Sequence, residues 1–166
     1  MSGKLHKSML LSITCDPKNQ DKCSQELEGY ITKGFWVQLI AKDIKQETIN
    51  KNYLPEEAGV ILKGGGSSGY HQLCLLSSSH LNQSALSTSA WIEEQGLSPN
   101  TCLILNALPL HHVSGLMPWW RSRCWKAKHV WLHPQLMHDP QKLESKCQSL
   151  INSHKGPVLT LSLIHI

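Results

Sequence analysis

The stretch that decides the fold reads Leu-Pro-Leu-His-His-Val-Ser-Gly-Leu at residues 108–116. It follows an apolar run at residues 101–106, which predicts a buried strand, and it precedes a segment that predicts a helix from residue 113. His112 therefore stands at the carboxyl end of a strand, where open α/β sheets bind their ligands. By themselves, His111 and His112 fit strand-end histidines bonded to backbone carbonyls equally well. The flanking Pro-Leu and Val-Ser-Gly favour the interpretation that His112 belongs to a functional site.

A second informative segment consists of six small residues in a row, namely Gly64, Gly65, Gly66, Ser67, Ser68 and Gly69. Glycines let the backbone curl so that several N–H groups point at one anion, and serine hydroxyls add donors. This composition suits phosphate, although Gly/Ser runs are also typical of turns and flexible linkers. The segment is not a Walker A loop, because Tyr70 and His71 stand where that motif has Lys and Ser/Thr.

Together the two segments resemble the AMP-forming acyl-CoA synthetases, the adenylate-forming ligases. The phosphate loop of that family reads Thr-Ser-Gly-Ser-Thr-Gly, and its later motif reads Pro-Leu-Phe-His-Val-x-Gly. Residues 66–69 fall on the Gly-Ser-Thr-Gly of the loop, and His112 falls on the motif histidine. The resemblance covers residues 60–132. Within the family, residues 108–116 look most like the o-succinylbenzoate:CoA ligases of menaquinone and phylloquinone biosynthesis.

The resemblance implies an ATP-dependent ligase. A carboxylate would attack the α-phosphate of ATP to give an acyl-AMP and pyrophosphate, and the thiol of coenzyme A would then take the acyl group. The glycine loop, residues 64–69, would hold the β- and γ-phosphates while Mg²⁺ neutralises charge. His112 would be the catalytic histidine that positions the substrate, with Ser114 and Gly115 beside it in the substrate site. Packing against the preceding strand explains Gly115 almost equally well.

One departure from the family pattern concerns the loop lysine. The family loop continues x-Pro-Lys-Gly, whereas this chain continues with Tyr70, His71, Gln72 and Leu73. Gln72 carries no positive charge. Lys63, just before the loop, either substitutes in part for the missing cation or is simply solvated.

The alternation of strands and helices predicts an α/β sandwich with a largely parallel sheet. The resemblance implies that this sandwich is the incomplete N-terminal domain of an adenylate-forming ligase. The predicted strands span residues 8–14, 35–41, 58–62, 71–76, 101–106 and 128–132, with one more from residue 158. The predicted helices span residues 21–33 and 78–95, with others from residues 113 and 140. A polar connector with room for one helical turn is expected on the surface at residues 42–57. The inner face of the helix at residues 78–95 is expected to carry Leu81, Ala85, Trp91 and Ile92. The inner face of the helix from residue 140 is expected to carry Leu143, Cys147, Leu150 and Ile151.

Composition sets the class of protein. The chain has 166 residues, of which 40% are hydrophobic and 17% charged, as in a soluble globular domain. Its formal charge of +4 is scattered, so nucleic-acid binding is only weakly supported. No stretch approaches the roughly 20 apolar residues of a membrane span. Six dispersed cysteines without a Cys-x-x-Cys pair predict reduced thiols, and together these features predict a cytoplasmic enzyme.

The last six residues raise a separate expectation. Residues 161–166 read Leu-Ser-Leu-Ile-His-Ile, the translation of CTG TCT CTT ATA CAC ATC, a transposon end used in sequencing libraries. We therefore expect residues 1–160 to be a partial AMP-binding domain and residues 161–166 to be an adapter-derived tail. A chain truncated in this way would not turn over substrate by itself, since the family needs further segments for adenine, ribose and a catalytic lysine.

Two further clusters admit plainer explanations. An aromatic and basic group follows the His112 motif and would suit an aromatic acid rich in carboxylates, but core tryptophans and solvated arginines explain it more simply. Its members are Trp119, Trp120, Arg121, Arg123 and Trp125. The histidines show no ligand spacing, so no metal site is predicted; they are His111, His112, His129, His133 and His138.

The alternative function is a small non-catalytic module that binds nucleotide or nucleic acid.

Overall fold

A computed structural model describes residues 9–64 and 72–160, which belong to two compact units that divide after His80. The first unit contains strands β1 (Leu10–Cys15), β2 (Trp36–Ala41), β3 (Gly59–Lys63) and β4 (Leu73–Ser77), and helix α1 (Gln20–Thr32). Its sheet has the order β1-β2-β3-β4. The first three strands are parallel and β4 is antiparallel to β3. A right-handed β1-α1-β2 crossover is the usual route between parallel neighbours.

Trp36 organises the core of the first unit. Its side chain is fully buried and packs with Leu54 and Ile61. The indole N–H donates to the carbonyl of Pro55 at 2.9 Å. A Cβ on Gly59 would lie 2.3 Å from the indole ring, so only glycine fits beside it. The segment at residues 42–57 is mostly exposed, as its polarity predicts, and contains one 3-10 turn, Lys51–Tyr53; Leu54 and Pro55 attach it to the core of this unit.

The second unit is built on a three-stranded parallel sheet. It contains most of helix α2 (Ser78–Glu94), strand β5 (Leu103–Asn106), helix α3 (Val113–Trp125), strand β6 (Lys128–Trp131), helix α4 (Pro140–Asn152) and strand β7 (Val158–Thr160). The strand order is β6-β5-β7, so β5 lies in the centre. All four residues of β5 are buried.

Successive residues of β5 point to opposite faces of this sheet. Ile104 packs with Ile92 of α2 and Trp125 of α3. On the other face, Leu103 and Leu105 pack in a cluster that includes three residues of α4, namely Leu143, Cys147 and Leu150. Helices thus cover both faces of the sheet, and the unit is an α/β/α sandwich with β5 at its centre.

The predicted α/β class with largely parallel strands is confirmed, and the strands are distributed over two sheets. Two predicted core positions are wrong. Trp91 is 60% exposed and Ile151 is 39% exposed. Consecutive residues of a helix point about 100° apart. Trp91 lies about 100° around α2 from the buried Ile92, on the exposed side of the helix.

The remaining sequence expectations concern thiols and membranes. All six cysteines are free; Cys15, Cys23 and Cys102 are buried. Within the described part of the chain, no helix combines the length and apolar character needed to cross a bilayer. The expected tail at residues 161–166 lies outside the described residues.

Candidate functional site

The His112 motif forms a turn between the end of β5 and the start of α3. We call residues 107–115 the His112 turn. His112 is the N-cap residue of α3, with an extended backbone. Its N–H donates to the carbonyl of Pro109 at 3.0 Å, and its own carbonyl accepts from the N–H groups of Gly115 and Leu116 at 3.0 and 2.8 Å. The backbone of His112 is therefore held on both sides, while its side chain is exposed.

The two adjacent histidines differ in environment. His111 is half-buried and His112 is exposed, and their rings are 4.4 Å apart between centroids. Burial, together with the neighbouring His112, lowers the pKa of His111 to about 4, so His111 is neutral at pH 7. Its Nδ1 is buried without a hydrogen-bond partner among the described residues. His111 thus occupies the inner position, where the resembling motif has Phe.

Gly115 is required by close packing. A Cβ at this position would lie 2.1 Å from the carbonyl oxygen of Pro109 and 2.6 Å from that of Leu108. The start of α3 therefore touches the backbone of the turn directly. This contact supports the packing explanation of Gly115, and the half-buried Ser114 next to it stays a predicted substrate residue.

Sequence reasoning missed Asn106, the last residue of β5. It is fully buried. Its Oδ1 accepts from the N–H of Leu108 at 3.1 Å, and its Nδ2 donates to the carbonyl of Gly115 at 2.9 Å. One side chain therefore bonds to both ends of the His112 turn. The signal in the sequence is a single polar residue that ends an apolar strand immediately before the motif.

The tryptophans that follow the turn are core residues. Trp119, Trp120 and Trp125 are at most 7% exposed. The indole N–H groups of Trp120 and Trp125 donate to Asn82 and to the carbonyl of Ala85, both in α2. These side chains anchor α3 to α2, and their faces are not open to a ligand.

The two arginines of this helix differ. The guanidinium of Arg123 lies over the rings of Trp119 and Trp120, at 5.1 and 5.2 Å from their centroids. Arg121 is half-buried, and its Nε is buried without a partner in the described part of the chain. Burial lowers the pKa of Arg121. Arg121 is therefore a desolvated cation without a bonded anion among residues 9–64 and 72–160.

The glycine loop lies between two strands, as the sequence predicts, and these strands are antiparallel. Lys63 of β3 pairs with Leu73 of β4, and the N–H of Gly64 donates to the carbonyl of Gln72 at 2.7 Å, which closes the base of the loop. The candidate phosphate ligands Gly65, Gly66, Ser67, Ser68 and Gly69 lie outside the described residues. Lys63 forms an ion pair with Glu47 at 2.8 Å, so its ammonium is already neutralised by a carboxylate.

The spacing of the histidines predicts no metal site. Across residues 9–64 and 72–160, no group of three His, Cys, Asp or Glu side chains is arranged to hold a metal ion. Two of the histidines have structural partners instead. His129 Nε2 lies 3.2 Å from Asn106 Nδ2, and His133 Nδ1 accepts from the N–H of Gln135.

Comparison with known proteins gives a structural match and no sequence match. No family model and no curated protein matches the sequence. The fold is similar to that of o-succinylbenzoate CoA synthetase (MenE) from Bacillus subtilis in complex with the acyl-adenylate intermediate OSB-AMP, with a TM-score of 0.57 at 14% identity. The match covers 92% of this chain and 55% of that one.

The same enzyme in complex with AMP matches with a TM-score of 0.57 at 14% identity, over 92% of this chain and 54% of that one. The chain thus spans about half the length of the solved structures that it matches. The likeness to adenylate-forming ligases that residues 60–132 predict is confirmed at the level of the fold, which is similar to about half of the o-succinylbenzoate CoA synthetase structure.

Proposed function

We propose that this chain is part of an ATP-dependent, adenylate-forming acid:CoA ligase that takes an aromatic dicarboxylic acid of the o-succinylbenzoate type. The observation that carries the proposal is the match of nearly the whole chain to a structure that holds an acyl-adenylate, OSB-AMP. The sequence adds an independent argument, because the family motif falls on the turn at the carboxyl end of the central strand β5.

His112 is proposed to position the substrate. Its backbone is fixed by hydrogen bonds on both sides and its side chain is exposed, so the imidazole can meet a ligand without disturbing the fold. In the proposed reaction, a carboxylate oxygen attacks the α-phosphorus of ATP and the bond to the pyrophosphate oxygen breaks. The thiol of coenzyme A then attacks the acyl carbon and AMP leaves. Both steps depend mainly on position and on stabilisation of charge.

Arg121 is proposed to bind a carboxylate of the acid. A half-buried guanidinium costs free energy when it has no partner, and a carboxylate fits its forked donors. Arg121 has no bonded anion among the described residues, whereas the guanidinium of Arg123 lies over two indole rings. An acid with two carboxylates could present one to Arg121 and keep the other for adenylation.

The glycine loop is proposed to bind the β- and γ-phosphates of ATP through Gly64, Gly65, Gly66, Ser67, Ser68 and Gly69. Its support is the donor-rich composition and the hairpin that Gly64 and Gln72 close. The ion pair with Glu47 argues against Lys63 as a free replacement for the family lysine. Mg²⁺ would enter with the nucleotide, and because the described residues offer no metal cluster we assign none of them to it.

The test is exchange of labelled pyrophosphate into ATP by the full-length protein that carries this sequence. We expect exchange that depends on an added acid and is faster with o-succinylbenzoate than with benzoate or succinate. Formation of a CoA thioester would follow when CoA is added. A folded full-length protein that catalyses no exchange with any of a panel of carboxylic acids would refute the assignment.

Gly66→Val should raise the ATP concentration that exchange requires. Gly29→Ala, on the exposed side of α1, is the control.

A further inference from the structure

The Asn106 amide has a third partner in the neighbouring strand. His129 of β6 places its Nε2 3.2 Å from Asn106 Nδ2. Its ring packs edge-on against Trp131, with centroids 4.6 Å apart. Burial lowers the pKa of His129 to about 4, so the ring is neutral at pH 7. The side chain at the end of β5 thus connects the His112 turn to a neutral imidazole on the adjacent strand.

The hydrogen bonds of Asn106 determine which nitrogen of His129 carries the proton. The amide oxygen must face Leu108, whose N–H donates to it, and the amide nitrogen must face the carbonyl of Gly115. A rotated amide would lose both bonds. One N–H of the amide serves Gly115, and the other is directed at Nε2 of His129, which must then have a free lone pair. This arrangement requires the His129 tautomer that is protonated at Nδ1.

We propose that Asn106 is the positioning residue of the His112 turn, and that the Nδ1-protonated tautomer of His129 holds the Asn106 amide in the required orientation. The turn is bonded at Leu108 and at Gly115 by one rigid side chain. Between these points, the backbone of His112 is bonded to Pro109, Gly115 and Leu116. Displacement of the amide would release both ends of the turn and with them the imidazole of His112.

The catalytic consequence of this proposal rests on the proposed function, because it needs His112 to position the substrate. The hydrogen-bond network around Asn106 does not depend on that function. The competing explanation is that Asn106 only satisfies buried backbone groups and stabilises the core. The two differ in what a change at Asn106 does to His112. A purely structural role lowers overall stability and leaves the local order of the turn unchanged in the molecules that remain folded.

The first measurement needs no substitution. Long-range proton–nitrogen NMR of the 166-residue chain at pH 7 distinguishes the two neutral tautomers and the imidazolium by the shifts of the ring nitrogens. We expect a protonated Nδ1 and an unprotonated Nε2 for His129. A protonated Nε2 would overturn the proposal, because it leaves the second amide N–H of Asn106 facing another donor.

Variants test the consequence for the turn. Asn106→Ala should speed exchange of the amide hydrogens of Gly115 and Leu116, which bond to the carbonyl of His112, by roughly three- to tenfold. The matched control is Asn82→Ala, which removes another side-chain amide that bonds to α3. Equal rates in the two variants after correction for global stability would overturn the proposal.

A second variant covers the case in which Asn106→Ala does not fold. In Asn106→Asp the carboxylate still accepts from Leu108 but donates to neither Gly115 nor His129. The expected result is a change of His129 to a form protonated at Nε2, which can donate to the carboxylate. An unchanged His129 tautomer would show that the amide does not determine it.

The functional measurement uses pyrophosphate exchange in the full-length protein. Asn106→Ala should lower kcat with little change in the KM for ATP. His129→Gln, whose side-chain oxygen can accept from the amide, should lose less activity than His129→Leu. A wild type without exchange would refute the proposed function while the NMR results still decide the positioning role. Normal wild-type exchange with an unchanged kcat in Asn106→Ala would refute the positioning role alone.

Discussion

Asn106 and Gly115 are joined by a hydrogen bond of 2.9 Å between the buried side-chain amide of one and the backbone carbonyl of the other. The bond links the end of the central strand to the first turn of the helix that follows it. Gly115 also touches the carbonyl groups of Leu108 and Pro109 so closely that no Cβ fits. The segment that carries His112 is thus fixed by hydrogen bonds and by steric contact.

The first prediction follows from this contact. Gly115→Ala should lower the free energy of unfolding by about 1–3 kcal/mol, because the new methyl group would overlap backbone atoms that cannot move independently. Denaturant unfolding followed by far-ultraviolet circular dichroism measures the change.

Gly29→Ala is the matched control for this substitution. Gly29 also lies within a helix, and a Cβ there would have no neighbouring atom within 4 Å. Alanine should stabilise α1 by about 0.5–1 kcal/mol, since it is the better helix former. Equal effects of the two substitutions would contradict the steric account of Gly115.

The second prediction concerns acid stability. The pKa of His129 is about 4 in the folded protein, against 6.5 for an unperturbed histidine. Between these values the unfolded chain binds a proton that the folded chain does not, so stability falls as the pH drops from above 6.5 towards 4. The contribution of His129 should be on the order of 2 kcal/mol over this range.

His129→Gln isolates this effect. Glutamine does not titrate and its oxygen can still accept from Asn106, so the variant should lose less stability than the wild type between pH 7 and pH 4.5. His111 and the carboxylates titrate equally in both proteins. Parallel pH profiles of the two unfolding free energies would show that His129 is not a buried neutral histidine.

The sequence predicts the elements of this fold well because each is encoded locally. Apolar runs bounded by Gly, Pro and polar residues mark the strands, and Asp139 before Pro140 marks the start of α4, where its side chain caps the N–H of Lys142. The distribution of strands over two sheets was not predicted, because pairing such as that of β5 with both β6 and β7 depends on residues far apart in sequence.

The candidate site was only partly predictable. The position of His112 follows from a motif, whereas the role of Asn106 depends on partners at positions 115 and 129, which no local pattern connects. Arg121 and Arg123 look alike in the sequence. They point to different sides of α3 because two helical residues differ by about 200° around the axis, and only one of the two guanidinium groups meets the indole rings.

The third prediction separates stability from function at Arg121. Arg121→Met keeps the aliphatic bulk and removes a half-buried cation, so the free energy of unfolding should stay the same or rise by up to about 1 kcal/mol. In the full-length protein, the KM for the acid should rise at least about tenfold, as expected when a charge-assisted hydrogen bond to a carboxylate is lost. Arg123→Met is the control for charge, and an unchanged KM in Arg121→Met would exclude a role in binding the acid.

The last prediction tests which histidine belongs to the site. His111 is half-buried, neutral at pH 7 and has an unpartnered buried nitrogen, so His111→Phe should pack at least as well and leave pyrophosphate exchange close to that of the wild type. His112 is exposed on a fixed backbone, so His112→Ala should slow acyl-AMP formation by about 10²-fold or more if its imidazole positions the reacting groups. Pre-steady-state measurement of acyl-AMP separates this step from CoA transfer, and unfolding curves verify that both variants are folded. The opposite ranking, with His111→Phe inactive and His112→Ala active, would mean that the motif is aligned one residue out of register and that the inner imidazole faces the ligand.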